Sequence, residues 1–203
     1  EITICDWSSD VCSSDLFLMR IITGKARGLK LTVPKNMDVR PTADRVKESL
    51  FNIIGTKIIG ARVLDMFAGT GNLGLESWSR GAAAVTFVDE SRESLRLVQS
   101  NIVKCRAEAD VQVLKGSAVN IIEHLHHQGL KFDFAFCDPP YNKGWVQKVL
   151  QKMEHFQVLE DGGYLIIEHS KHDEIGVLAA CFELVRQEHY GETLLSFIRF
   201  AKV

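Results

Sequence analysis

The sequence predicts an α/β fold: a doubly wound, mostly parallel sheet carrying a basic hairpin-and-helix extension on its N-terminal side. Three observations carry that class. From Ala61 onward, short apolar runs alternate with amphipathic stretches of helical period, as in a parallel sheet covered on both faces. The first run, Arg62–Met66, passes into a glycine-rich turn, Gly69-Thr70-Gly71-Asn72-Leu73-Gly74, that opens a helical pattern. The last two runs, Phe182–Tyr190 and Leu194–Lys202, are joined around Gly191, so they form an antiparallel pair at the sheet edge.

The 203 residues suit one domain with an appendage, long enough to bury a sizeable core. No apolar run approaches the roughly 20 residues of a membrane helix, and a secretory signal pattern is lacking. Five scattered cysteines, none in a CxxC pair, exclude a disulfide scaffold. A cytoplasmic protein is expected, acting as a monomer, with neither a metal nor a membrane as partner. Residues 1–18 (EITICDWSSDVCSSDLFL) lack periodicity, and part of them resembles translated sequencing-adapter read-through. They are expected to be a non-native leader, with Met19 as the start. Without the leader's four acids, 24 basic residues face 22 acidic ones, a net charge of +2. Met19 to Lys47 alone holds eight basic residues against two acids. That excess suits either a polyanion contact or a solvated basic face.

The extension, residues 19–60, begins with Arg20–Gly24 and Gly28–Val33, two short strands around a Lys-Ala-Arg tip. Pro34 ends the pair. After an extended Arg40-Pro41 step comes a helix that Thr42 can cap. Its apolar face is Val46, Leu50, Phe51, Ile54 and Ile58, with Arg45 and Glu48 spaced to pair on the polar side. In the domain at 61–203, the further strands are Ala84–Val88, Val111–Leu114, Phe132–Cys137 and Gly163–Glu168. The helices between are Leu73–Arg80, Ser91–Ala107, Val119–His127 and Lys143–Phe156, Ser91 serving as an N-cap.

Ligands of an open parallel sheet collect beyond the strands' carboxyl ends. Gly69-x-Gly71-x-x-Gly74 formally matches a dinucleotide fingerprint, and Asp89 is placed to hold a ribose. A pyrophosphate, however, would be repelled by Asp65 at the strand end. S-adenosylmethionine carries a sulfonium and an ammonium and no phosphate, so Asp65 favours the methyl donor over NAD. The NAD-dependent oxidoreductase stays as an alternative from another class. Ser117 and Ala118 either lie against the adenine edge or simply start a helix.

Cys137-Asp138-Pro139-Pro140-Tyr141 is the most specific stretch. An acid, two prolines and an aromatic after a buried strand make a rigid ledge with few free backbone donors. Such a ledge suits methylation of an exocyclic amine. Asp138 and the Pro139 carbonyl accept the amine's N–H bonds, and Tyr141 stacks on the base. Cys137 precedes the acid on an apolar strand and reads as core. The His124–His127 cluster has no completing ligand set and reads as a solvated helix end.

Asp-Pro-Pro-Tyr together with the Asp65 glycine loop resembles the signature pair of class I S-adenosylmethionine-dependent amino-methyltransferases. Three segments narrow the resemblance: Arg20–Lys25 (RIITGK), Arg40–Asn52 (RPTADRVKESLFN) and Leu64–Gly71 (LDMFAGTG). From about Arg20 to Phe200 the chain is similar to the bacterial 16S rRNA guanine-N2 methyltransferases of the D type. That resemblance implies a seven-stranded Rossmann-like sheet and methyl transfer to a guanine N2 in small-subunit rRNA, assembled or assembling. It also implies cofactor contacts at Asp65, Phe67, Ala68, Gly69, Thr70, Gly71, Asp89 and Ser117. Asp138, Pro139, Pro140 and Tyr141 would hold the target base, and Arg27, Arg40, Thr42 and Arg45 the rest of the substrate. Ser117 stands where many related enzymes carry an acid, which leaves the adenine contact open. An adenine-N6 nucleic-acid methyltransferase shares the same ledge and is the alternative within this chemistry.

Overall fold

The computed structural model describes residues 19–34 and 41–202, with the side chains of 41–44 excepted. Helix α1 (Pro41–Ile54) leads, through a 3-10 turn at Gly55–Ile58, into β1 (Arg62–Asp65). There follow α2 (Asn72–Ser79), β2 (Ala84–Asp89), α3 (Arg92–Cys105), β3 (Val111–Lys115), α4 (Ala118–His127) and β4 (Phe132–Cys137). Helix α5 (Trp145–His155) and strands β5 (Leu159–Ser170), β6 (Phe182–Tyr190) and β7 (Thr193–Phe200) complete the domain. These seven strands lie in the order β3-β2-β1-β4-β5-β7-β6, and β7 alone runs opposite in direction to the other six.

Alternation along the strands builds two cores. Val63, Phe134 and Phe136 face one side, against Leu50 and Phe51 of α1 and Leu75 of α2. Leu64, Ala135 and Cys137 face the other, against Ile122 of α4 and Val149 of α5. Strand order reverses between β1 and β4, where Asp65 lies in register with Phe136. That switch point is where an open α/β sheet forms its ligand crevice. It brings the end of β1 beside the Asp138 ledge, although the two motifs are far apart in sequence.

The extension corrects several expectations. The predicted hairpin forms but is short: Arg20 bridges Lys30 antiparallel, flanked by the Leu31 amide bonding the Met19 carbonyl and the Ile21 amide bonding the Leu29 carbonyl, and neither arm extends into a full strand. The cause is competition from α2: Ile22 and Thr23 donate their amides to the Glu76 carboxylate at 2.7 and 3.0 Å, and Lys25 N–H bonds the Ser79 carbonyl at 2.9 Å. Gly24, at φ +89°, approaches α2 so closely that a Cβ would lie 1.8 Å from that carbonyl oxygen. Helix α1 starts at Pro41, whose fixed φ and missing N–H suit a first helical position; the capping expected of Thr42 rests on a side chain outside the described residues. Arg45 and Glu48 are both exposed and do not pair with each other. Lys47, counted above with the basic excess, is only 2% exposed. Its Nζ donates to the Arg20 carbonyl and to Asn72 Oδ1 at 2.6 and 2.7 Å. Strand β5 begins earlier than Gly163, and its pairing with β4 shifts register between Phe132 and Phe134.

Candidate active site

A cavity of about 500 Å³ opens beyond the carboxyl ends of β1, β2, β3 and β4. Its wall includes Met66 and Phe67 after β1, Asp89 at the end of β2 with Glu90 after it, Ser117 and Ala118 at the start of α4, and Asp138 to Tyr141 after β4. Trp145, the first residue of α5, completes it and meets Phe67 edge-on, ring centres 5.7 Å apart.

The glycine turn holds its shape through two carboxylates. Gly71, at φ +80°, occupies the N-cap position of α2, and Gly69 has φ +55°. Both conformations are cheap for glycine alone. Asp89 Oδ2 accepts the Gly69 amide at 2.9 Å, while Oδ1 accepts the Ser91 amide at 2.8 Å. Asp89 thus braces the loop and starts α3 from a place on the cavity wall. Asp65 Oδ2 accepts the Gly74 amide at 3.0 Å, and Oδ1 has no partner among the described residues. Burial pushes Asp65 up to about 7; the Gly74 bond opposes the rise, and nearby Asp89 adds to it. Ala68 and Thr70 are buried in the turn, and the Thr70 hydroxyl bonds Met19 Sδ at 3.0 Å. Ser117 occupies the N-cap position of α4 without a side-chain cap bond. It therefore both starts the helix and faces the cavity.

Asp138 opens onto the cavity. Desolvation by the surrounding protein raises its pKa well above the usual carboxylate range, and Glu168 and Asp65 raise it further. Pro139 is buried and Pro140 exposed. Tyr141 is 38% exposed, with its hydroxyl 3.2 Å from both Glu168 Oε1 and Thr193 Oγ1. Burial is the main cause that pushes its phenol to about 12. The next residue, Asn142, sits at φ +58° and donates its amide to both oxygens of Asp173, at 3.1 and 2.9 Å.

Glu168, Asp173 and Thr193 were not among the expected site residues. A signal for Glu168 existed: Asp65 and Asp89 end β1 and β2, Asp138 follows β4, and Glu168 lies near the end of β5. On the substrate side, Arg27 and Arg45 are exposed, and neither lines the cavity. Arg40 lies outside the described residues, and of Thr42 only its place in α1 is described.

The comparisons agree with this architecture. The chain is 34% identical over 175 residues to YlbH of Bacillus subtilis, covering 86% of this chain and 95% of that relative. It is 33% identical over 174 residues to the ribosomal RNA small subunit methyltransferase D of Escherichia coli, covering 86% of each. The solved structure of yhhF from Escherichia coli superposes with a TM-score of 0.80 at 30% identity, covering 90% of this chain and 97% of that one. A sequence model of the family described as conserved hypothetical protein 95 matches residues 19–199, and the chain belongs to that family.

Proposed function

We propose that the protein transfers a methyl group from S-adenosylmethionine to the exocyclic N2 of a guanine in the 16S rRNA of the small ribosomal subunit. The observation that carries this reading is the meeting, on one cavity, of Asp89, which braces the glycine turn through the Gly69 amide, and of Met66 and Phe67 next to Asp65, with the Asp138–Tyr141 ledge. The family relatives that act on small-subunit rRNA support the substrate.

The residues present fit the cofactor. Asp65 is a buried acid with a raised pKa, next to two residues of the cavity wall, and its hydrogen bond among the described residues is to the Gly74 amide. Such a group favours a ligand that brings positive charge and disfavours a pyrophosphate. Asp65 would hold the methionine end, Asp89 the ribose, and Phe67, Ser117 and Ala118 the adenine side. When bound, S-adenosylmethionine would supply an electrophilic methyl group, its S–CH3 bond breaking with the electron pair left on sulfur as S-adenosylhomocysteine.

The chain's own residues do the rest by orientation and proton handling. The Asp138 carboxylate and the Pro139 carbonyl accept the hydrogens of the guanine amine, which turns its lone pair toward the methyl carbon. Tyr141 supports the unstacked base. As the new C–N bond forms, the amine becomes acidic, and Asp138, with its raised proton affinity, takes the released proton. Arg27 and Arg45 are exposed on the basic extension and contact phosphates away from the reacting atoms.

The test is transfer of a labelled methyl group to small subunits lacking base modifications, with naked rRNA and duplex DNA in parallel. N2-methylguanosine on subunits is the expected product, and Asp138→Ala should abolish it while keeping cofactor affinity. N6-methyladenine on DNA would overturn the substrate assignment.

A further inference from the structure

Tyr141 is a half-exposed aromatic on the loop between β4 and α5. Its far end is nevertheless gripped twice, by Glu168 from β5 and by Thr193 from the start of β7. Those strands pair antiparallel, with Ser170 opposite Thr193, so the two grips share one rigid frame. The phenol donates one hydrogen bond and accepts another. Glu168 can only accept while ionised, so the phenol proton points to Glu168 and the Thr193 hydroxyl donates to the phenol oxygen. Glu168 does not itself line the cavity. Among the described residues the Tyr141 hydroxyl is the hydrogen-bond partner of its carboxylate. The Asn142–Asp173 bonds hold the same loop from behind.

We infer that Glu168 is a positioning residue for methyl transfer: it fixes Tyr141, together with Thr193, as a preset platform for the target base. The inference rests on the reading of Tyr141 as that platform. A platform fixed in advance spares the base the cost of ordering the ring on arrival. Its loss should therefore weaken capture of the nucleic acid and leave cofactor binding alone.

Only three tyrosines occur in the chain, so 3-fluorotyrosine labelling gives an assignable fluorine spectrum of the protein without substrate. Glu168→Leu should shift or broaden the Tyr141 resonance, while Glu168→Gln, which keeps an acceptor oxygen, should leave it near its original place. With rRNA substrate, Glu168→Leu should raise KM about tenfold, the scale of losing a hydrogen bond to a charged group. Affinity for S-adenosylhomocysteine should stay within about twofold, which also reports an intact fold. Tyr141→Phe should weaken binding similarly, and adding Glu168→Leu to it should cost nothing more. An unmoved Tyr141 resonance in Glu168→Leu, or losses that multiply in the double variant, would overturn the inference. A wild-type enzyme that fails to methylate rRNA while its Tyr141 resonance responds as stated would defeat the functional reading and leave the positioning role supported.

Discussion

Glu76 in α2 and Asp65 at the end of β1 are both buried carboxylates, and their surroundings differ in kind. Glu76 accepts the Ile22 and Thr23 amides and Arg80 Nε, the last at 2.7 Å, with Lys47 Nζ at 3.5 Å. Two backbone donors and two cations meet one acid, and three segments of the chain are tied together. Asp65 receives a single amide and faces Asp89, while Asp138 feels Glu168 and Asp65. Among the described residues no cation pairs with Asp65, Asp138 or Glu168. A saturated charge fixes architecture, whereas a crowd of uncompensated acids is unfavourable until a ligand brings donors or positive charge.

The largest expected effect tests the saturated side. Glu76→Leu leaves Lys47 and Arg80 without their shared acid and frees the Ile22 and Thr23 amides. Breaking a buried pair in this way costs about 3–5 kcal/mol, which urea unfolding would show as a lower midpoint. Glu168→Gln should change stability by less than about 1 kcal/mol, since it keeps the Tyr141 bond and removes a repelling charge. Equal losses for both variants would break the comparison.

Next in size is Asp138→Asn. Turnover should fall by about 10² or more, the scale seen when an oriented polar group is removed from a reacting centre. The same change removes one acid from the group, so the thermal midpoint should rise by about 2–4 °C, equivalent to about 1 kcal/mol at this chain length. A lower midpoint would mean that Asp138 is part of the scaffold.

Asp65 sharpens the comparison through pH. Its folded value of about 7 lies above the ordinary 3.8, so its ionised form destabilises the folded state. That cost is complete above pH 7 and fades as the pH falls toward 4. A positively charged ligand lowers the value, so binding releases a proton wherever Asp65 begins protonated. Cofactor affinity should then fall below pH 7, by up to about tenfold per pH unit. Calorimetric titrations between pH 8 and 5.5 would show this slope. Asp65→Asn should bind weakly with no slope over the same range.

These differences also explain what the sequence made legible. The Asp138–Tyr141 ledge is contiguous, so its place at the cavity follows from the end of one strand, and the sheet was legible because its central strands β1 and β4 are apolar and largely buried. Glu168 and Thr193 reach Tyr141 from two later strands and carry no local motif. Their role exists only once β5 pairs with β7. The N-terminal hairpin is shorter than its strand-like pattern predicts for a related reason: a single side chain of α2 takes the Ile22 and Thr23 amides. Lys47 looked like one more surface cation because sequence cannot show that Glu76 waits for it in the core.

The smallest effect concerns a residue that borders both regions. Asn72, first in α2 and next to Gly71, accepts from Lys47 Nζ at 2.7 Å. Asn72→Ala removes one neutral acceptor from a lysine that keeps the Arg20 carbonyl, so the stability cost should be about 1 kcal/mol. Cofactor affinity should change by less than about threefold, because Asp89 and Asp65 hold Gly69 and Gly74 without using Lys47. A tenfold loss of affinity would mean that the glycine loop transmits strain from the extension to the cavity. The two charge groups would then act as one coupled unit, with the extension setting the shape of the cofactor loop.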